Sequence, residues 1–363
     1  MGRTERDQLF NTLSSHINNT NETFQIFDQA PVSSSKKVSW EEVVKMGDRV
    51  SLYATVAGML RIEKPPVARH IEQHMERYFN TLQGFLLLSY GSTVGAGPTL
   101  SSCVHAAVKE VVDSSLKLFR ESVSSFGANE KCPIPQLVGA VWEACSALGK
   151  TPGTNITAIG RAMTQVVVSM KDVLREMKEL KPGSTDLTDD ISDQACTKAE
   201  SEPQDDGDDG LSEGDLGNDL SPEEMKVAQS TITVVSETLI VIEELIRSIT
   251  SLLKIENPKY NGGFVDSLEI LLKQCQEIGE EVDELGACLY PPQEVPKMRA
   301  AVEKISSTVD DMQTEVESLK GTSEAFLQAC NGLKGSLTQL NSQLYYSSSL
   351  DLEAEMQKVD LNN

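Results

Sequence analysis

The sequence lacks clustered basic residues and long apolar runs. It carries 32 Lys and Arg against 55 Asp and Glu, a net charge of −23. Tight binding to nucleic acid needs grouped cations that displace counterions from phosphates, so we expect no direct nucleic-acid partner. No apolar run approaches the length of a membrane span, so we expect no membrane partner either.

Histidine is scarce, and the cysteines lack the spacing that is typical of disulfide pairs or metal sites. There are four histidines and seven cysteines, and no CxxC occurs. An odd number of widely spaced cysteines in a chain of this size favours reduced, buried thiols over a disulfide framework. The charged start of the chain does not resemble a signal peptide. These features predict a soluble protein of the cytoplasm and the nucleus.

Recognisable catalytic motifs are also missing, and no cofactor is expected. The loop at 91–97 lacks the Gly-Lys-Ser/Thr ending that a phosphate cradle requires. His70, His74, Cys103 and His105 are the only set that could be drawn as a zinc site, and no ligand motif frames them. Their interpretation as ordinary helix residues is favoured. The second half of the chain has no histidine that could serve as a general base. We therefore expect a protein that is not an enzyme.

The main positive feature is an acidic stretch in the middle of the chain. Residues 184–224 hold fifteen acidic residues against the single base Lys198, with few large apolar residues. Such a segment cannot bury enough surface to offset its conformational entropy, and its charges repel one another. It predicts a disordered acidic linker over 184–221 between an N-terminal domain, 1–183, and a C-terminal domain, 222–363. Ser212 and Ser221 precede acidic residues, so both are candidate phosphorylation sites.

Apolar residues on either side of the linker recur in steps of three and four, which predicts helices. The first half divides into five or six such segments, separated by prolines and glycines. The second half contains four regular stripes joined by short turns, the pattern of an antiparallel four-helix bundle. No alternating strand pattern occurs. We therefore predict an all-α protein with two helical bundles. Ser39 with Glu42, and Ser221 with Glu224, have the spacing of capping boxes and mark two helix starts.

Three stretches carry a resemblance to a known family. They are AVWEAC at 140–145, the following helix at 159–180 with its VVVSMKDV core, and DELGACLYPP at 283–292. With an acidic segment between them, they resemble the cyclin-D-binding protein family, also called Grap2 and cyclin-D interacting proteins. The resemblance implies an all-helical regulator that binds D-type cyclins and lowers cyclin-dependent kinase action on retinoblastoma protein. It also implies pairing with helix-loop-helix transcription factors through a helix-loop-helix without a basic region.

Two features are candidates for partner binding. The hairpin formed by 295–319 and 326–344 could act as the helix-loop-helix, although both of its apolar stripes suit the core of the second bundle better. Tyr290, Pro291 and Pro292 form the most specific element of the resemblance. These prolines end a helix and turn the chain, and this structural interpretation is favoured over a docking point.

The sequence thus predicts a non-enzymatic adaptor that regulates the cell cycle or transcription negatively by occupying a D-type cyclin or a helix-loop-helix factor. The alternative is a helical scaffold of the vinculin or talin-tail type that binds cytoskeletal or signalling partners. The sequence leaves the oligomeric state open.

Overall fold

A computed structural model describes residues 3–29, 37–60, 67–125, 133–181, 220–255, 262–319 and 323–360. Within these ranges the chain forms ten α-helices and two short 3-10 helices, and no strand. The prediction of an all-α protein is confirmed. The predicted acidic linker, with Ser212, lies outside the described residues except for its last two, Leu220 and Ser221.

The helices follow the predicted segments closely. Their bounds are α1 Arg3–Phe24, α2 Trp40–Leu60, α3 Ala68–Ser92, α4 Pro98–Ser124, α5 Ile134–Ala147, α6 Asn155–Lys178, α7 Pro222–Ile255, α8 Gly262–Cys288, α9 Val295–Ser318 and α10 Glu324–Asp360.

Both capping boxes form as predicted. At α2, the backbone N–H of Glu42 donates to Ser39 Oγ over 3.3 Å, and the Ser39 N–H donates back to the Glu42 carboxylate over 3.2 Å. At α7, the Glu224 N–H donates to Ser221 Oγ over 3.3 Å, and the Ser221 N–H donates to the Glu224 carboxylate over 2.9 Å. Each box satisfies backbone donors that a helix start leaves without intrahelical partners.

The chain forms two compact units. One comprises Met1–Ala162 with Lys259–Ile270, and the other comprises Met163–Pro258 with Leu271–Asn363. The predicted domains differ from these units in two respects. Lys259–Ile270, which the prediction places in the C-terminal domain, belongs to the first unit. The sequence-based division at 183 places all of α6 with the N-terminal helices, whereas α6 from Met163 onward belongs to the second unit.

The first unit is a ring of five helices. α2 lies between α3 and α5, α1 contacts both α3 and α4, and α5 closes the ring against α4. Aromatic side chains fill the centre, where the rings of Tyr78, Phe79 and Phe119 lie against one another. The Tyr78 hydroxyl is buried and hydrogen-bonds Ser115 Oγ over 2.7 Å. This arrangement confirms the predicted N-terminal bundle.

The second unit contains α7, α9 and α10 of the predicted four helices, and α8 from Leu271 onward. α10 contacts α7 and α9. Between α9 and α8, Lys297 pairs with Glu284 and Lys304 pairs with Glu277, so residue numbers rise along one helix as they fall along the other. Between α9 and α10, Arg299 donates to the Leu344 carbonyl and Lys334 donates to Gln313, which shows the same opposite order. Both pairs are therefore antiparallel.

α6 is an additional member of this unit. At Gly279 and Gly286 of α8, a Cβ would lie 3.1 Å from Val166 Cγ1 and 2.8 Å from Val173 Cγ1. Glycine therefore lets α6 approach α8 closely, and the equal spacing of the two contacts makes the helices parallel. Lys171 of α6 also forms an ion pair with Glu243 of α7 at 2.8 Å.

Candidate functional site

Tyr290, Pro291 and Pro292 form the turn between α8 and α9, as the structural interpretation predicts. α8 ends at Cys288, and α9 begins at Val295. The Glu294 N–H donates to the Cys288 carbonyl over 3.3 Å and closes the turn. The Pro291–Pro292 peptide bond is cis. Tyr290 is 43% exposed, so the turn presents an aromatic ring to solvent.

Gln293 connects this turn to the start of α7. Its side-chain amide donates to the Glu224 carbonyl over 3.1 Å and to the Leu289 carbonyl over 3.4 Å. The first turn of α7, which holds Ser221 as its N-cap, therefore lies beside the turn that holds Tyr290. Sequence reasoning missed Gln293, because nothing local signals a contact with a residue 69 positions away.

Acidic residues lie on both helices that the turn joins. Lys297 lies between Glu294 at 2.8 Å and Glu284 at 3.9 Å, and the hydrogen bond and charge of Glu294 raise the pKa of Lys297. Burial is the main cause of the raised pKa of Asp283, and nearby Glu280 adds to it. A partner that approaches Tyr290 thus meets a surface with more carboxylates than cations.

The nearby thiol is unsuited to nucleophilic chemistry. Burial and the neighbouring Glu284 raise the pKa of Cys288 to about 11, and its Sγ donates to Glu284 Oε1 over 3.6 Å. Burial raises the pKa of Cys275 to about 12 and that of Cys330 to about 11. The reactive form of cysteine is the thiolate, which these pKa values suppress at neutral pH.

The four residues that could be drawn as a zinc site do not come together as one. His74 is buried and hydrogen-bonds the Tyr53 carbonyl over 2.8 Å, and burial lowers its pKa. His105 packs against Phe24 and Phe27. His70 is exposed and Cys103 is half-buried. In the part of the chain that the structure describes, no group of three His, Cys, Asp or Glu side chains is placed to hold a metal.

The glycine-rich loop at 91–97 is fixed by hydrogen bonds to the side chain of Asn155 and is not arranged as a phosphate-binding loop. Asn155 Oδ1 accepts the Gly97 N–H over 2.8 Å, and Asn155 Nδ2 donates to the Gly95 carbonyl over 2.9 Å. Gly95 has a φ of +72°, in the region that favours glycine. The loop therefore serves as a connection between α3 and α4.

The hairpin proposed as a helix-loop-helix is α9 with α10. Val295 and Leu319, at the ends of the first predicted apolar stripe, are half-buried. The other residues of the two stripes are buried within the second unit: Met298, Val302, Ile305, Val309, Met312, Val316, Phe326, Cys330, Leu333, Leu337, Leu340 and Leu344. A partner helix would have to displace these contacts or use the outer faces of the helices.

None of the helices in the described ranges is both long enough and apolar enough to cross a membrane. Those ranges form two helical bundles whose conspicuous features are exposed aromatic and apolar side chains on helix surfaces and turns. The class that this fold defines is an all-helical bundle protein.

Comparison with known proteins identifies the family. A family model described as Grap2 and cyclin-D-interacting, N-terminal, matches residues 42–183, and its C-terminal counterpart matches residues 204–314. Together they span more than two thirds of the chain. The chain belongs to the Grap2 and cyclin-D-interacting family, as the resemblance predicts. It is also similar to a Cyclin-D1-binding protein 1 homolog of Xenopus laevis, with 26% identity over 259 residues, 69% of this chain and 71% of that protein.

Proposed function

We propose that this protein is a non-enzymatic regulator that binds a D-type cyclin, helix-loop-helix transcription factors, or both, and thereby restrains cell-cycle progression or transcription. The observation that carries the proposal is membership of a family described as cyclin-D-interacting. The printed name of the Xenopus relative, a cyclin-D1-binding protein homolog, supports the same partner. The cytoplasm and the nucleus are the compartments in which such partners would be met.

The mechanism would be occupancy of the partner's surface, without a bond made or broken. The apolar stripes of α9 and α10 are buried, so the contacts would come from outer faces and turns. Tyr290 and Pro292, which are exposed, and the half-buried Pro291 between them are one such contact. Tyrosine suits this role because its large ring gains contact area at little cost in side-chain entropy.

Phosphorylation at Ser212 or Ser221 would regulate this activity. Ser221 is exposed, and its Oγ already accepts the Glu224 N–H. A phosphate there would still accept hydrogen bonds at the start of α7, where the helix dipole favours negative charge. It would also be repelled by the carboxylates of Glu223 and Glu224. Phosphopeptide mapping of protein from cells tests both positions, and a map with neither site occupied contradicts this part of the proposal.

The experiment that tests the main proposal uses purified full-length protein. Immobilised D-type cyclin is expected to retain it, whereas an unrelated cyclin is not. Tyr290→Ala is expected to weaken retention, and Tyr290→Phe, which keeps the ring, is expected to preserve it. Equal retention by both cyclins, or by neither, with the protein shown to be helical by circular dichroism, contradicts the proposed function.

A helical scaffold similar to vinculin or talin tails is the second candidate. The closed five-helix ring of the first unit favours it, because such bundles offer helix faces to amphipathic segments of other proteins. Cosedimentation with filamentous actin separates the two candidates. Pelleting with actin, combined with no retention on the cyclin, would favour the scaffold.

A further inference from the structure

Helix α2 carries a conventional core-facing stripe. Its buried residues recur in steps of four and three: Val43, Gly47, Val50, Ala54 and Ala57. This stripe faces the centre of the first unit, between α3 and α5. A helix at the edge of a bundle needs only this one apolar face, and its opposite face is expected to be polar.

The opposite face of α2 is not polar over its last three turns. A second stripe, here called the outer stripe, repeats the same steps: Lys45, Arg49, Leu52, Val56 and Met59. It is offset from the core stripe by two residues, about 200° around the helix. Leu52 is 62% exposed and Met59 is 59% exposed, and Val56 is exposed as well. Such side chains, one helical turn apart, form a continuous apolar strip rather than isolated surface residues.

Trp142 of α5 widens this strip. Its indole N–H donates to Thr55 Oγ1 over 3.0 Å, and Thr55 lies on α2 between Leu52 and Met59. The ring is thereby held beside the outer stripe, yet Trp142 remains 47% exposed. Tryptophan is among the residue types that contribute most to binding energy at protein interfaces.

The charges on the outer stripe are at one end only. Lys45 and Arg49 are exposed, and neither forms an ion pair among the described residues. Asp48 lies nearer α5, where its charge, after burial, contributes to the raised pKa of Cys145. The strip therefore runs from two cations to three apolar side chains, over about four helical turns.

We propose that the outer stripe with Trp142 is the surface on which the cyclin partner docks an amphipathic helix. The docked helix would be apolar along one side and would place carboxylates against Lys45 and Arg49. The step pattern of four and three suits lengthwise pairing of two helices, and the unpaired cations set its direction. This inference rests on the proposed function and adds, to the contact at Tyr290, a second surface and the chemistry of the segment that fits it.

A membrane surface fits this face less well than a helix does. Recognition of anionic lipids usually takes clusters of about four to eight Lys and Arg. The outer stripe has two, and Glu41, Glu42 and Asp48 lie on the same helix. The charges that remain are suited to one or two carboxylates at a defined place.

The test measures the affinity of full-length protein for a D-type cyclin. The double variant Leu52→Glu with Met59→Glu is expected to bind at least about tenfold more weakly, because charged side chains would be desolvated in the contact. Leu87→Glu on α3 is the matched control, since Leu87 is 58% exposed on another helix of the same unit. It is expected to change the affinity by less than about twofold. Thermal melts confirm that each variant is folded.

A charge test is independent of the apolar one. Lys45→Glu with Arg49→Glu is expected to weaken cyclin binding and to reduce its dependence on salt, because opposite charges across the contact become like charges. Lys117→Glu with Arg120→Glu on α4 makes the same change in net charge at exposed positions away from the outer stripe, and it controls for long-range attraction.

The outcomes distinguish a failure of the proposed docking surface from a failure of the proposed function. If the wild type binds and the Leu52 and Met59 variant binds equally well, the inference fails and the proposed function stands. If the wild type does not bind the cyclin, both fail. Loss of phosphatidylserine vesicle binding in the variant would assign the stripe to a membrane. Loss of a wild-type dimer in light scattering would assign it to a second copy. Either result, with cyclin binding unchanged, overturns the inference.

Discussion

Several buried polar side chains of these helices have hydrogen-bond partners, either in a neighbouring loop or within their own helix. Asn155 is buried at the start of α6, and its amide makes two hydrogen bonds to the loop between α3 and α4. On α7, Thr231, Thr238 and Ser248 are buried, and each hydroxyl donates to a carbonyl four residues earlier. A polar side chain enters the core at low cost when it has such a partner.

Asn155→Ala is expected to lower the free energy of unfolding by about 2–3 kcal/mol, since it leaves the Gly97 N–H and the Gly95 carbonyl without their partner. Asn155→Asp keeps an acceptor for the Gly97 N–H but places a buried carboxylate oxygen against the Gly95 carbonyl, so a loss at least as large is expected at neutral pH. Urea denaturation monitored by circular dichroism measures both. Equal stability of the alanine variant and the wild type would show that the loop does not depend on this amide.

At the scale of elements, helix starts are completed either locally or by a distant residue. α2 and α7 begin with capping boxes that their own first turns supply. α4 has Gly97 at its N-cap and no side chain there to accept a hydrogen bond. Glu269 of α8 takes this role: its carboxylate accepts the Thr99 N–H over 3.0 Å and the Thr99 hydroxyl over 2.6 Å. A carboxylate there also complements the positive end of the α4 dipole.

Glu269→Gln is therefore expected to destabilise the protein by about 1 kcal/mol, because a neutral amide is a weaker acceptor and loses the dipole interaction. The control is Glu277→Gln on the same helix. Glu277 pairs with Lys273 and Lys304 on the surface, where such pairs contribute little, so a change below about 0.5 kcal/mol is expected. Denaturant midpoints of the two variants decide the matter, and equal losses would refute the capping role.

At the scale of the whole molecule, charge and helix membership are both distributed unevenly. Residues 1–162 carry 16 Lys and Arg against 15 Asp and Glu, whereas residues 163–363 carry 16 against 40. The acidity of the chain thus lies entirely in its later part. The second unit also contains a helix from before the acidic stretch, since α6 packs against Gly279 and Gly286 of α8. The first 162 residues are nearly neutral, and the rest of the chain is strongly acidic.

Gly286→Val tests whether α6 belongs to the second unit. The added side chain would collide with Val173, and a loss of about 1–3 kcal/mol is expected, as for overpacked cores. Gly335→Ala on α10 is the control, because its position is exposed and open, and alanine there is expected to stabilise the helix by about 0.5–1 kcal/mol. Thermal denaturation compares them. A Gly286 variant as stable as the wild type would mean that α6 does not pack closely against α8.

Much of the candidate site could be anticipated, but its surroundings could not. The Tyr290 turn follows from two consecutive prolines after an apolar stripe, and the Ser221 cap follows from a four-residue motif. Their proximity through Gln293 could not be predicted, because the contact joins segments that are distant in the chain. The outer stripe of α2 was present in the spacing of its residues. It could be recognised as an exposed surface only once the structure showed which stripe of α2 the bundle buries.

The sequence by itself determined the helices and their ends. Steps of three and four in apolar residues, prolines, glycines and capping boxes are local signals, and a helix forms its backbone hydrogen bonds within one segment. The family followed from motifs of the same local kind. Only the tertiary structure decided that α6 joins the later helices, that Glu269 caps α4, and that α7 buries Thr231, Thr238 and Ser248. Each of these depends on contacts between distant segments, whose free energy is realised only when the helices pack together.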